Sequence, residues 1–142
     1  MDACKQDVWL PSKNCNSCGH HTTFDADASS SYKALVSSKT GAAGSFEVDY
    51  GSGKVSGSRA QETVAVGSLS VGSVSFGEVT YEDSEITSFM MDGIAGLAFK
   101  GLSMVTSPTL LELLSAAHPS MPNYFSLFLS FFSPSLLLLL SF

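Results

Sequence analysis

Apolar and polar positions alternate over much of this chain, and the breaks in the alternation divide it into short elements. Val8-Trp9-Leu10 is an apolar run stopped by Pro11, the pattern of a strand entering a loop. Residues 12–31 are rich in Ser, Asn, Thr, Asp and His and read as loop. From Ser45 to Tyr50 the apolar side chains fall at Phe46, Val48 and Tyr50, the period of a half-buried strand. Gly51-Ser52-Gly53 supplies a turn and Lys54 to Ser58 alternates again, which predicts a β-hairpin. Glu62 to Tyr81 reads as two further strands around a turn near Gly67. The segment 92–99, Asp-Gly-Ile-Ala-Gly-Leu-Ala-Phe, is apolar with two glycines, which predicts a buried strand under close backbone approach. Apolar residues at 110, 111, 113 and 114 after Pro108 predict one helix over Pro108–Ala117. The class expected is all-β with one short helix.

Composition narrows the function. The chain has 142 residues, enough to bury ~70% of its unfolded surface without staples. Charged residues make up 14%, against roughly 25% in an average soluble domain. Seven Lys and Arg face thirteen Asp and Glu, a net charge of −6. No basic patch is available to follow phosphates, so no nucleic-acid partner is expected. Coiled coil and disordered acidic tail are excluded by the same numbers.

Cys4, Cys15 and Cys18 are an odd number of thiols, so at least one stays unpaired within the chain. Cys15-Asn16-Ser17-Cys18-Gly19-His20-His21 has ligand types and a spacing that zinc uses, with a disulfide and free thiols as the other readings. A haem attachment needs His at position 19, which is Gly. A redox motif needs a strand–helix context that the pattern lacks. His118, before Pro119, reads as a residue at the helix end.

Several segments taken together resemble a known family. Asp7-Val8-Trp9-Leu10-Pro11-Ser12, the Cys15/Cys18 loop, Phe24 and Ser29-Ser30-Ser31-Tyr32 come first. Tyr50-Gly51-Ser52-Gly53, Val55-Ser56-Gly57 and Glu62-Thr63-Val64-Ala65-Val66-Gly67 follow, then Asp92-Gly93-Ile94-Ala95-Gly96-Leu97-Ala98-Phe99 and Phe125-Ser126-Leu127-Phe128-Leu129-Ser130. In this order and at these spacings they resemble the N-terminal lobe of the pepsin-like aspartic proteases, over about residues 2 to 130.

The resemblance implies an aspartic-type endopeptidase that needs no cofactor and no metal. Two carboxylates, one from each lobe, share a proton because two adjacent negative charges cannot both ionise cheaply. The ionised partner activates water and the protonated one polarises the scissile carbonyl. A hairpin flap closes over a peptide or protein substrate and excludes water. Tyr50, Gly51 and Ser52 match the flap, and Trp9 matches the indole that hydrogen-bonds the flap aromatic. Phe89, Met91 and Ile94 match a pocket for an apolar substrate side chain, and Cys15 and Cys18 match a small disulfide loop. Asp2 falls at the catalytic position.

The sequence departs from the family at that position. Asp2 is followed by Ala3-Cys4-Lys5-Gln6 in place of Thr-Gly-Ser-Ser. Ala3 lacks the hydroxyl that ties the active-site loops together. Cys4 puts a β-carbon where glycine admits the backbone N–H to the carboxylate. Lys5 would hold Asp2 ionised, the wrong state for sharing a proton. No second Asp-Thr-Gly or Asp-Ser-Gly motif occurs within the 142 residues. The expectation is a chain inactive by itself, its partner being the missing C-terminal lobe. The alternatives are a non-catalytic peptide-binding pseudo-protease lobe or a mis-joined gene fragment.

Tyr124 to Phe142 carries no charge and contains seven Leu and five Phe. It reads as one more strand to residue 130 with an apolar low-complexity tail over 131–142, as a membrane anchor, or as translated non-coding sequence. Membrane contact is expected only through this tail. Family resemblance points to a secreted, vacuolar or lysosomal location, although Met1-Asp2-Ala3-Cys4-Lys5 has no apolar signal-peptide core.

Overall fold

The computed structural model describes residues 7–98 and 108–121. The candidate Asp2, Cys4 and the apolar tail with its membrane alternatives lie outside the described residues. Among those described, the chain is mostly β-sheet with a single short α-helix, the architecture expected of a pepsin-like N-terminal lobe. The strands are β1 (Val8–Pro11), β2 (Lys33–Ala34), β3 (Ser45–Tyr50), β4 (Gly53–Val66), β5 (Leu69–Glu82) and β6 (Ile94–Ala95). The helix α1 spans Leu110–Ala117, and short 3-10 turns cover Ala26–Ala28 and Ile86–Ser88.

The sheet runs β2-β4-β5-β1-β6, with β3 paired to β4. β1 lies parallel to β5, with Trp9 opposite Gly77, and antiparallel to β6, with Trp9 opposite Ile94. Alternation along β1 sends neighbouring side chains to opposite faces. Trp9 joins Phe46, Val48, Val55, Val79 and Ile86 in one buried cluster. Val8 joins Ala60, Val71, Val74, Phe76, Leu110 and Leu114 in the other. Gly77 permits the first packing: a β-carbon there would lie 2.1 Å from Phe46 Cζ.

Three expectations need correction. β4 is one strand of 14 residues, not two. Its register to β5 shifts between Ser56 and Gly57 and again between Glu62 and Val64, and each shift resets the alternation that marks a strand. Helix α1 begins at Leu110 rather than Pro108, because Thr109 caps it. Thr109 Oγ1 accepts from the Glu112 N–H at 3.0 Å, and Glu112 Oε2 accepts from the Thr109 N–H at 2.8 Å. Leu110 and Leu114, one turn apart, seat the helix on the second cluster. The Asp92–Phe99 strand shrinks to Ile94–Ala95, half-buried and exposed, because among the described residues it pairs with β1 alone at the sheet edge; Phe99 lies outside the described residues. The close approach expected of its glycines is present, since a β-carbon on Gly93 would lie 2.5 Å from the Trp9 carbonyl oxygen.

Candidate functional site: the hairpin and the buried indole

β3 and β4 form a hairpin whose last register pair is Tyr50 and Gly53, leaving Gly51-Ser52 as the tip. Gly53 has φ 126°, a region that side chains other than glycine's rarely enter. Beneath the hairpin, Trp9 is fully buried between β5 and β6. Its Nε1–H donates to the Tyr50 hydroxyl at 2.8 Å across 41 residues of sequence. An indole excluded from water needs such an acceptor, and the amphipathic phenol provides one while its ring packs on the cluster. Burial pushes the Tyr50 phenol above its ordinary pKa, the indole bond opposes this, and the charge of Asp7 adds to it. Tyr50 is therefore a neutral phenol across the acid range.

Asp7 is itself buried, and its carbonyl accepts from the Gly96 N–H at 3.1 Å. This bond extends the β1–β6 pairing beyond Ile94 and Ala95. Ile94, half-buried, packs on the Trp9 cluster. Of the residues matched to a substrate pocket, Ile94 thus pairs with Trp9 and packs on the same cluster as Tyr50. Phe89 and Met91 stand at the exposed surface beside the fully exposed Met90.

Cys15 and Cys18 form a disulfide, with Cα atoms 5.7 Å apart. Both sulfurs are bonded to each other, so neither is a thiolate ligand for zinc. Cys18 is buried in the Trp9 cluster and Cys15 packs against it, which fixes the loop to the hairpin's floor. His21, just beyond, holds Nδ1 3.1 Å from Glu82 Oε2 with both side chains buried, in an oblique rather than linear arrangement. Its Nε2 lies 3.0 Å from the Phe89 carbonyl oxygen, which can only accept, so Nε2 carries a proton. Burial raises the Glu82 pKa, and His21 partly offsets the rise. The Thr22 N–H donates to Asp92 Oδ1 at 2.8 Å, so the Cys loop is tied to the 89–92 segment twice. Among the described residues, no cluster of three or more His, Cys, Asp or Glu is arranged to hold a metal ion.

A third buried carboxylate, Glu78, lies earlier on β5. Glu78 accepts from Ser12 Oγ and Tyr32 Oη, each at 2.7 Å, and joins the end of β1 to the loop before β2. Burial, and then the Glu78 carboxylate, push the Tyr32 phenol up to about 12.

Sequence reasoning missed three residues around the hairpin: Ile86, Glu82 and Asp83. Ile86 is a lone apolar residue in the polar stretch 83–88, and its isolation was the available signal for its burial against Trp9. Glu82 and Asp83 gave none, because acidic residues after a strand usually mark a solvated turn.

Comparison with known proteins identifies the family. The family model for eukaryotic aspartyl proteases matches residues 1–135. The chain is 34% identical over 113 residues to cathepsin D of Dictyostelium discoideum, covering 76% of this chain and 28% of that relative. It is 34% identical over 113 residues to the probable vacuolar protease A of Trichophyton verrucosum, covering 76% and 26% respectively. It is 29% identical over 133 residues to chymosin of Callithrix jacchus, covering 92% and 33%. A sheet built around a buried indole–phenol bond under a β-hairpin, with this match over nearly its whole length, places the chain in the eukaryotic aspartyl protease family. The chain spans about a quarter to a third of the length of these relatives.

Proposed function

We propose that this chain supplies the flap-bearing half of an aspartic-type endopeptidase. Trp9 and Tyr50 set the height of the hairpin, and the backbone of Gly51 and Ser52 meets an extended peptide or protein substrate. Phe89, Met91 and Ile94 offer apolar surface to a substrate side chain. Asp2 provides one carboxylate. The second comes from outside these 142 residues, from the C-terminal lobe or from the Asp2 of another copy. One carboxylate without its partner has neither the split in pKa values nor the general acid, so the chain alone does not cleave peptides.

The observation that carries this reading is the 2.8 Å bond from the Trp9 indole to the Tyr50 hydroxyl, which holds the hairpin over the core. The relatives named for vacuoles support an acidic vacuolar or lysosomal setting, and the Cys15–Cys18 disulfide fits an oxidising route of synthesis. The test is a fluorogenic apolar peptide incubated at acid pH with the chain. Pepstatin-sensitive cleavage by a monomer refutes the stated inactivity. Cleavage by a dimer that is lost in Asp2→Asn assigns the second carboxylate to another copy.

The replacement of Thr-Gly-Ser-Ser by Ala3-Cys4-Lys5-Gln6 favours a second reading, a peptide-binding lobe without catalysis. Peptide binding that survives Asp2→Asn and fails in Tyr50→Ala supports it. Binding that needs Asp2 removes it.

A further inference from the structure

The hairpin is held at a second place besides the Trp9–Tyr50 bond. The β4–β5 ladder ends at the pair Val55 and Glu82. Beyond it the chain leaves the sheet for the 3-10 turn at Ile86–Ser88, so no β5 carbonyl is in place for the Lys54 N–H. The Asp83 carboxylate stands in for it: Oδ2 accepts from the Lys54 N–H at 2.8 Å. The Asp83 N–H in turn donates to the Lys54 carbonyl at 3.0 Å. Lys54 is two residues past the tip Gly51-Ser52, so this pair of bonds clamps the hairpin where it would bend.

The surroundings are shaped for the clamp. Gly53, at its positive φ, leaves room for it: a β-carbon there would lie 3.0 Å from Asp83 Cβ and 3.4 Å from Ile86 Cγ1. Tyr81 Oη donates to Asp83 Oδ1 at 2.7 Å, which occupies the other oxygen and orients the carboxylate. The Thr87 N–H donates to the Asp83 carbonyl at 3.1 Å, so the same residue starts the turn that buries Ile86 beneath Trp9. The charged groups around Asp83 are few. Lys54 Nζ attracts it and is itself paired to Glu47 at 3.2 Å, with Asp49 opposite Lys54 in the β3–β4 register.

We propose that Asp83 is a positioning residue for the flap, its carboxylate replacing a strand carbonyl to fix the hairpin tip against the 86–88 turn. It touches neither substrate nor reacting atoms and acts through the Lys54 amide. This rests on the flap reading above, but its test does not require peptide binding. Loss of the clamp frees the tip to swing about Tyr50, and so exposes Trp9. Trp9 is the sole tryptophan of the chain, so its emission reports on the indole's surroundings beneath the hairpin.

The test uses the full chain, ¹⁵N-labelled, in three forms: wild type, Asp83→Ala and Asp83→Asn. Asparagine can still accept from the Lys54 N–H through Oδ1 and donate to Tyr81 through its amide, so it is the rescuing variant. Asp83→Ala should lower hydrogen-exchange protection at the Lys54 amide by about tenfold and shift Trp9 emission to the red, while amides of β1 and the body of β5 keep their protection. Asp83→Asn should restore both. Unchanged Lys54 exchange in Asp83→Ala overturns the proposal. Changed exchange with unmoved Trp9 emission also overturns it, because the contact is then local and does not set the flap. If Asp83→Ala unfolds, Tyr81→Phe, at an exposed position, removes one bond to the same carboxylate; a smaller loss of Lys54 protection supports the clamp and none refutes it. A hydrophobic hexapeptide that fails to bind even the wild-type chain counts against the flap reading and leaves these amide results unaffected.

Discussion

Removing one oxygen atom from Tyr50 tests the bond on which the hairpin depends. In Tyr50→Phe the ring and its packing remain, but the Trp9 N–H loses its acceptor. Trp9 is fully buried, so water cannot replace the phenol without opening the cluster. An unsatisfied buried donor costs about 1–3 kcal/mol. The Tyr50 ring is only half-buried, and relief of its hydroxyl's partial burial offsets some of this, leaving about 1–2 kcal/mol. For a domain of this size each kcal/mol moves the midpoint by about 3–5 °C, so Tm should fall by about 3–10 °C. Trp9→Phe removes the same bond and also leaves a cavity, and should cost about 2–3 kcal/mol. The double variant separates the two effects. Once either partner is gone, the bond cannot be lost again, so the double variant should be less destabilised than the sum by about 1 kcal/mol. Urea unfolding followed by circular dichroism measures all four proteins without relying on Trp9. A Tyr50→Phe chain within ~0.3 kcal/mol of wild type, or strict additivity in the cycle, would refute the argument.

Three further outcomes follow from named contacts. Gly77→Ala should cost about 1–3 kcal/mol, because its β-carbon meets the buried Phe46 ring at 2.1 Å; Phe46→Leu in the same chain should recover part of the loss, read as the urea midpoint. Cys15→Ser/Cys18→Ser should lower stability by about 2 kcal/mol, the small loop limiting the entropy released, as measured by denaturation with and without reductant. The pH dependence should carry the sign of Glu82. Burial raises its folded pKa, so its contribution is fully present below the ordinary glutamate value, and is lost as pH rises through the raised one. Glu82→Gln, whose amide can donate to His21 Nδ1, should gain stability relative to wild type as pH rises; a difference that stays flat with pH contradicts this. Asp25 and Asp92, lowered chiefly by the Lys13 bond and the Thr22 bonds respectively, act oppositely and weaken the fold on strong acidification.

Much of this protein was legible locally. Alternation at Phe46, Val48 and Tyr50, the glycines after them, and the apolar run at Trp9 are readable because burial on one face of a strand imposes a period of two. The helix was readable for the same reason at a different period, and only its first residue moved, since a cap is a hydrogen bond rather than a hydrophobic pattern. The order of motifs marked the family, and with it the Trp9–Tyr50 pairing and the Cys15–Cys18 disulfide. What no local pattern carried was decided in three dimensions. The continuity of β4 depends on bulges that the facing strand accommodates. The burial of Ile86, the His21–Glu82 contact across 61 residues of sequence and the Asp83 clamp on Lys54 exist only because the end of β5 turns beneath the hairpin and beside the Cys loop. Acidic side chains there look like solvent-facing turn residues in sequence, and become buried or clamping groups only when the sheet brings donors to them. Phe89 and Met91 show the converse: apolar side chains in the right order, left at the surface because nothing among the described residues folds over them.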